Sequence, residues 1–186
     1  MNRLKPGQEE HGTNRYATGA DFCRAFQQDV KRLYLLGFLL TANHREAERC
    51  MMIALEKAPC NKYVFREFVR SWIKRSVINS AIQSVFGKSG MREQAREPWG
   101  KERTETPAGA AINDITQLAS LDRFVFVMSV LEGCSNKECS LLLKCPVETV
   151  ASAKLDAFTA LRFHQTVERE RDHSESNRIR AMTTGS

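Results

Sequence analysis

Apolar residues recur at helical spacing in blocks along this chain, and each block carries its own start and stop signals. From Asp21, the expected N-cap, Phe22, Phe26, Val30, Leu33, Tyr34, Leu36 and Gly37 fall at helical intervals, and the helix is expected to run to Leu40. Thr41-Ala42-Asn43 then reads as a stop followed by a fresh cap. A second helix takes Glu46, Ala47 and Glu48 into its first turn, carries Cys50, Met51, Ile53, Ala54 and Leu55 toward Ala58, and is ended by Pro59. A third is expected from about Val64 through Phe65, Phe68, Val69, Trp72, Ile73, Val77, Ile78, Ile82 and Val85, with Gly87 at its end and a basic opposite face.

The second half repeats the pattern on a smaller scale. Phe124, Val127, Met128 and Leu131 predict a supporting helix closed by Gly133. Ser135-x-x-Glu138 is a capping box, in which the serine oxygen takes the amide three residues on and the glutamate returns to the serine amide. Cys139, Leu142 and Leu143 line the apolar face of the helix it opens, and Lys144-Cys145-Pro146 breaks that helix. A last helix from about Glu148 buries Val150, Leu155, Ala157, Phe158 and Leu161. A short helix, a turn and another helix read as a helix-turn-helix, an outline that helical hairpins without any DNA-binding role share.

The expected organisation is therefore all-α, with two small helical lobes joined by a polar linker. Residues 1–20 read as a mobile tail, 21–87 as the first lobe, 88–111 as the linker, 112–163 as the helix-turn-helix lobe and 164–186 as a polar tail. Trp99 is the one large apolar residue of the linker and is expected to pack partly against a lobe.

The wording of both lobes narrows the function. Leu121-x-Arg123-x-Val125-Phe126, Leu131-Glu132-Gly133-Cys134-Ser135-x-x-Glu138 and Cys145-Pro146-x-x-Thr149-Val150 resemble the promoter-reading domain of extracytoplasmic-function sigma factors. That family has Leu-Pro-x-x-x-Arg-x-Val-Phe, Glu-Gly-Leu-Ser-x-x-Glu-Ile-Ala and Pro-x-Gly-Thr-Val-Lys-Ser-Arg in the same order. Upstream, Leu40-Thr41-Ala42-Asn43, Glu46-Ala47-Glu48, Leu55, Ala58, Trp72-Ile73, Arg75 and Asn79 are similar to its promoter-melting domain, where a helix ends near Leu-Thr-Gly-Asp and a later one reads Trp-Leu-x-x-Ile-x-x-Asn. The resemblance covers about residues 22–87 and 115–161.

It implies a bacterial, cytoplasmic protein that binds core RNA polymerase and promoter DNA to direct transcription initiation, is held by an anti-sigma factor, and has no cofactor. DNA contacts would fall on Arg66, Arg70, Trp72, Lys74, Arg75 and Asn79 of the third helix and on Thr149, Ser152 and Lys154 of the last. Polymerase contacts would fall on Glu46, Glu48, Arg49 and Met52. The chain also departs from the family. Arg49, Met52 and Ile53 replace acidic and amide residues that grip polymerase, and an arginine in place of a carboxylate reverses the sign of a contact. Ala151 and Ala153 replace two basic residues that would donate to phosphates or base edges, and Lys144 stands at the usual turn glycine. These departures support an alternative: a sigma-like helical protein that binds a protein partner and has lost sequence-specific DNA binding.

Charge distribution bears on that choice more than the net +6 does. Residues 21–87 hold 11 basic and 6 acidic side chains, whereas 112–161 hold 4 and 6. Arg66, Arg70, Lys74 and Arg75 recur three or four apart and can share one helical face, where Trp72 and Phe68 could stack on bases of an opened strand or equally belong to the core. The six cysteines lack zinc-knuckle spacing and are expected as reduced structural thiols, so no metal site is expected. The four scattered histidines and the lack of a phosphate loop or nucleophile elbow leave no catalytic residues to name, and the chain is not expected to be an enzyme. Leu33 to Leu40, the longest apolar run, is too short for membrane insertion.

Overall fold

The computed structural model describes residues 15–58, 63–87 and 106–162. They are mostly helical, and among them no strand forms; one isolated bridge joins Tyr16 to Phe65. Residues 1–14, the C-terminal tail, most of the expected linker with Trp99, Pro59 and Cys60 lie outside the described residues; residues 15–20, read from the sequence as the end of a mobile tail, instead pair with residues 64–66 and start the first helix.

Helix α1, Gly19–Thr41, is the axis of the first lobe. It starts two residues before Asp21, because Thr18 is the N-cap and Asp21 is its partner three positions into the helix. The Asp21 amide donates to Thr18 Oγ1 over 3.3 Å and the Thr18 amide to Asp21 Oδ2 over 2.8 Å. Asn43 caps α2, His44–Lys57, by accepting from the Glu46 amide at 3.1 Å, in line with the fresh cap expected there. Gly37 lets the two helices meet closely: a Cβ built on it would lie 3.4 Å from the Ala47 Cα.

Helix α3, Val69–Phe86, begins later than its apolar pattern suggests. The backbone of residues 64–66 is engaged elsewhere, since the Ala17 amide donates to the Val64 carbonyl at 2.7 Å and the Arg66 amide to the Arg15 carbonyl at 3.1 Å. A single 3₁₀ turn, Arg66–Phe68, separates that pairing from α3. Phe22, Leu33, Leu36, Leu40, Cys50, Ala54, Ile73 and Val77 fill the centre of the three-helix unit.

Helix α4, Pro107–Gln117, begins inside the stretch read as linker. Thr106 accepts from the Gly109 amide at 3.2 Å, and proline at the first helical position has no amide to leave unpaired. Helix α5, Ser120–Phe126, runs into a π-helical turn, Val127–Leu131, and the chain reverses at Gly133 with φ +72°. The Ser135–Glu138 capping box opens α6, Asn136–Leu143, in full. Residues 144–146 form the turn and 147–162 form the last helix, α7.

Val150, Ala153 and Ala157 are the buried stripe of α7, so Leu155 and Phe158, both expected in the core, are instead 68% and 40% exposed. The lobes share one hydrophobic cluster in which Phe124, Val125, Val127 and Met128 continue the core of α1 to α3. Phe86 meets Phe124 edge-on with ring centroids 5.6 Å apart.

Candidate nucleic-acid interface

The pairing of residues 15–17 with 64–66 gathers aromatic rings at the entrance to α3. Tyr16 stacks on Phe65 with centroids 5.0 Å apart and meets Tyr63 edge-on at 6.4 Å, and Phe65 meets Phe68 edge-on at 6.4 Å. All four rings are substantially exposed, Tyr63 to 84%. A single exposed aromatic is ordinary, but four in contact form an apolar patch that water does not favour. Tyr16, Tyr63 and Phe65 carried no functional signal in the sequence, because Tyr16 is brought to the others only by the bridge to Phe65. Beside the rings, a groove of about 250 Å³ between α1 and the entrance to α3 is lined by Arg24, Gln28, Arg66 and Arg70 together with the carboxylates of Asp21 and Glu67.

The cations expected to contact DNA are distributed around α3 and the turn before it. Arg66 Nε lies 3.2 Å from Asp21 Oδ2, and Arg70 bonds Gln28 and lies 3.6 Å from Asp29 Oδ2, so both follow the edge that faces α1. Lys74 Nζ donates to Glu132 Oε2 of the second lobe at 2.7 Å. Arg75 and Asn79 are exposed on another side of the helix, spaced one turn apart, with the half-buried Trp72 between their face and the core. Trp72 packs edge-on against Phe22 at 5.2 Å and is half-buried against the core.

In α7, Thr149 and Lys154 are half-buried on opposite flanks of the Val150–Ala153–Ala157 stripe, and Ser152 points outward, hydrogen-bonded to Asp156 over 3.4 Å. The outward face of this helix is Glu148, Ser152, Leu155 and Thr159, all exposed at intervals of four, three and four. It bears no cation. Ala153, read from the sequence as a missing phosphate donor, is 3% exposed and belongs to the core, so a basic side chain there would have no route to DNA without moving the helix. Of the two alanines only Ala151 removes a surface donor.

On α2, Glu48, Arg49 and Met52 are exposed on one side. Glu46 is half-buried and bridges two sides: one carboxylate oxygen accepts from Ser84 of α3 and the other lies 3.6 Å from Arg49.

Electrostatics mark the caps rather than a reactive centre. The amide and hydroxyl of Thr18 hold the Asp21 carboxyl below its usual range, with help from Arg66, and those of Ser135 do the same for Glu138. Burial pushes the thiols of Cys50 and Cys139 up to about 11. Among the described residues no three His, Cys, Asp or Glu side chains are placed to hold a metal ion, and no helix is long and apolar enough to cross a membrane. No protein-family model and no curated protein matches the chain.

Proposed function

We propose that this chain is an initiation factor of the extracytoplasmic-function sigma type, which binds core RNA polymerase and promoter DNA in the bacterial cytoplasm. The observation that carries this reading is the exposed cluster of Tyr16, Tyr63, Phe65 and Phe68 beside the arginine-lined groove. Aromatic faces that stack on unpaired bases next to guanidinium groups that meet phosphates make a surface for an opened strand. Two backbone positions support the family assignment. Ala42 and Lys144 hold left-handed conformations, with φ of +51° and +54°, the first at the glycine of Leu-Thr-Gly-Asp and the second at the family's usual turn glycine.

The test is promoter opening by purified core polymerase plus the full chain, followed by permanganate reactivity of promoter thymines. The wild-type chain should produce reactive thymines that polymerase alone does not. Changing Tyr63 and Phe68 together to Ala should reduce affinity for forked promoter DNA roughly tenfold or more, the scale of one or two lost base stacks. Polymerase that gains no promoter binding from the wild-type chain refutes the proposal.

The outward face of α7 favours a second reading. A helix end presenting Glu148, Ser152 and a 68% exposed Leu155 suits a protein partner better than a phosphate backbone. In that case the lobe contacts a protein, DNA binding rests on the first lobe or is lost, and the promoter experiment separates these outcomes.

A further inference from the structure

The second lobe is docked against the first, and the docking engages a cation of the proposed DNA surface. Lys74 of α3 meets Glu132 at 2.7 Å, and the glutamate side chain is only 9% exposed in this position. Glu132 directly follows the π-helical turn, and its amide donates to the Val127 carbonyl at 3.0 Å, which anchors the residue at the lobe boundary. The same boundary holds Arg123, whose Nε donates to the Leu40 carbonyl in the last turn of α1, and the Phe86–Phe124 contact.

We propose that this docking is an autoinhibitory contact, with Glu132 occupying on Lys74 the place of a strand phosphate, so that nucleic acid and the second lobe compete for α3. The inference rests on the reading of α3 as a nucleic-acid surface. Charge supports the competition at longer range. The first lobe carries 11 basic against 6 acidic residues and the second, over residues 112–163, 5 against 6, so the lobes attract one another, while a polyanion is drawn to the first and not to the second. Chemically the two occupants of Lys74 are alike, since each offers anionic oxygens to an ammonium group.

The experiment measures binding of the full chain to a fluorescein-labelled oligothymidine of about 20 nucleotides by anisotropy across a salt series. Glu132→Gln should bind more tightly than wild type by a factor of roughly two to five, the scale set by one partly exposed ion pair. Its log-log salt slope should steepen by about 0.7, one additional phosphate contact on a single strand. Glu56→Gln, which removes the same charge from an exposed site on α2, should give a smaller gain and no change of slope. Lys74→Gln combined with Glu132→Gln should return affinity to the wild-type value while leaving a neutral hydrogen-bonding pair, which separates loss of the contact from loss of fold.

Hydrogen exchange supplies an independent readout. Adding the oligonucleotide to wild type should raise deuterium uptake across Ser120–Phe126, the opposite of the protection a simple contact would confer. Equal binding by wild type, Glu132→Gln and Glu56→Gln, or protection of α5, overturns the competition and leaves the nucleic-acid reading standing. Failure of every variant to bind the oligonucleotide overturns both.

Discussion

Arg123 is the residue whose removal should tell most about how the two lobes hold together. The residue is 6% exposed, and its guanidinium donates to three backbone carbonyls: Leu118 at 2.9 Å, Leu40 at 3.3 Å and Thr116 at 3.4 Å. Leu40 lies in the last turn of α1, whose final carbonyls have no partner within the helix and which has no basic residue of its own there. Arg123 thus acts as a C-terminal cation supplied by the other lobe. Hydrogen bonds from a charged donor contribute about 1.5–3 kcal/mol each when well formed, and less when long. Taking about 2 kcal/mol for the short bond and about 1 kcal/mol for the two long ones together, Arg123→Ala should cost about 3 kcal/mol. Arg123→Lys keeps the charge but not the planar fork that reaches both lobes, and should fall between. The assay is urea unfolding of the full chain followed by far-ultraviolet circular dichroism, with hydrogen exchange to locate the loss at the C-terminal end of α1 and in α5. A loss below about 1 kcal/mol, or one confined to either lobe alone, would refute the assignment of Arg123 as the bond between them.

Four further outcomes follow from the caps, the turns and the thiols. Ser135→Ala should destabilise the chain by about 1 kcal/mol in the same unfolding assay, the usual cost of losing an N-cap. Asp21 and Glu138 have lowered folded-state pKa values, so their contribution is complete above their ordinary values of 3.8 and 4.5 and disappears as pH falls through the lowered ones. The Asp21→Asn, Glu138→Gln double variant should accordingly lose less stability than wild type on acidification from about pH 5 to about pH 2, measured by thermal melting. Ala42→Gly and Lys144→Gly should each raise stability by up to about 1 kcal/mol, because both replace a side chain in the left-handed region; an unchanged or lowered melting temperature would count against those backbone conformations. Mass spectrometry after iodoacetamide treatment at neutral pH should find the exposed Cys23 modified well before Cys50 and Cys139, whose buried thiols are held protonated.

The extent of helix and several helix ends were legible in the sequence because their causes are local. The Ser135–Glu138 box, the Asn43 cap and the stop at Gly133 depend on residues within a turn of one another, and each recurs in the structure at the residue expected. Where a distant segment competes, local reasoning misplaced the boundary. Helix α3 starts at Val69 because the backbone of residues 64–66 is taken by residues 15–17, a partnership that no periodicity within 64–87 could reveal. The exposed aromatic cluster depends on that same partnership, and so does its visibility as a site.

Packing direction in α7 was likewise a tertiary decision. Leu155 and Ala153 are both compatible with a helical stripe, and the stripe falls on Val150, Ala153 and Ala157 because a helix that approaches its neighbours closely selects small residues for its buried side. The cationic pattern of α3 was readable from the chain, but whether those cations are open depends on what faces them. Asp21 and Asp29 come from α1, and Glu132 comes from the other lobe, 58 residues away from Lys74. The sequence by itself determined most of the helical segments, though not the start of α3 or the presence of α4, and where positive charge accumulates, since these follow from short-range chemistry. Only the tertiary structure decided which charges meet a carboxylate, because that depends on the docking of lobes whose contacts are long-range in the chain.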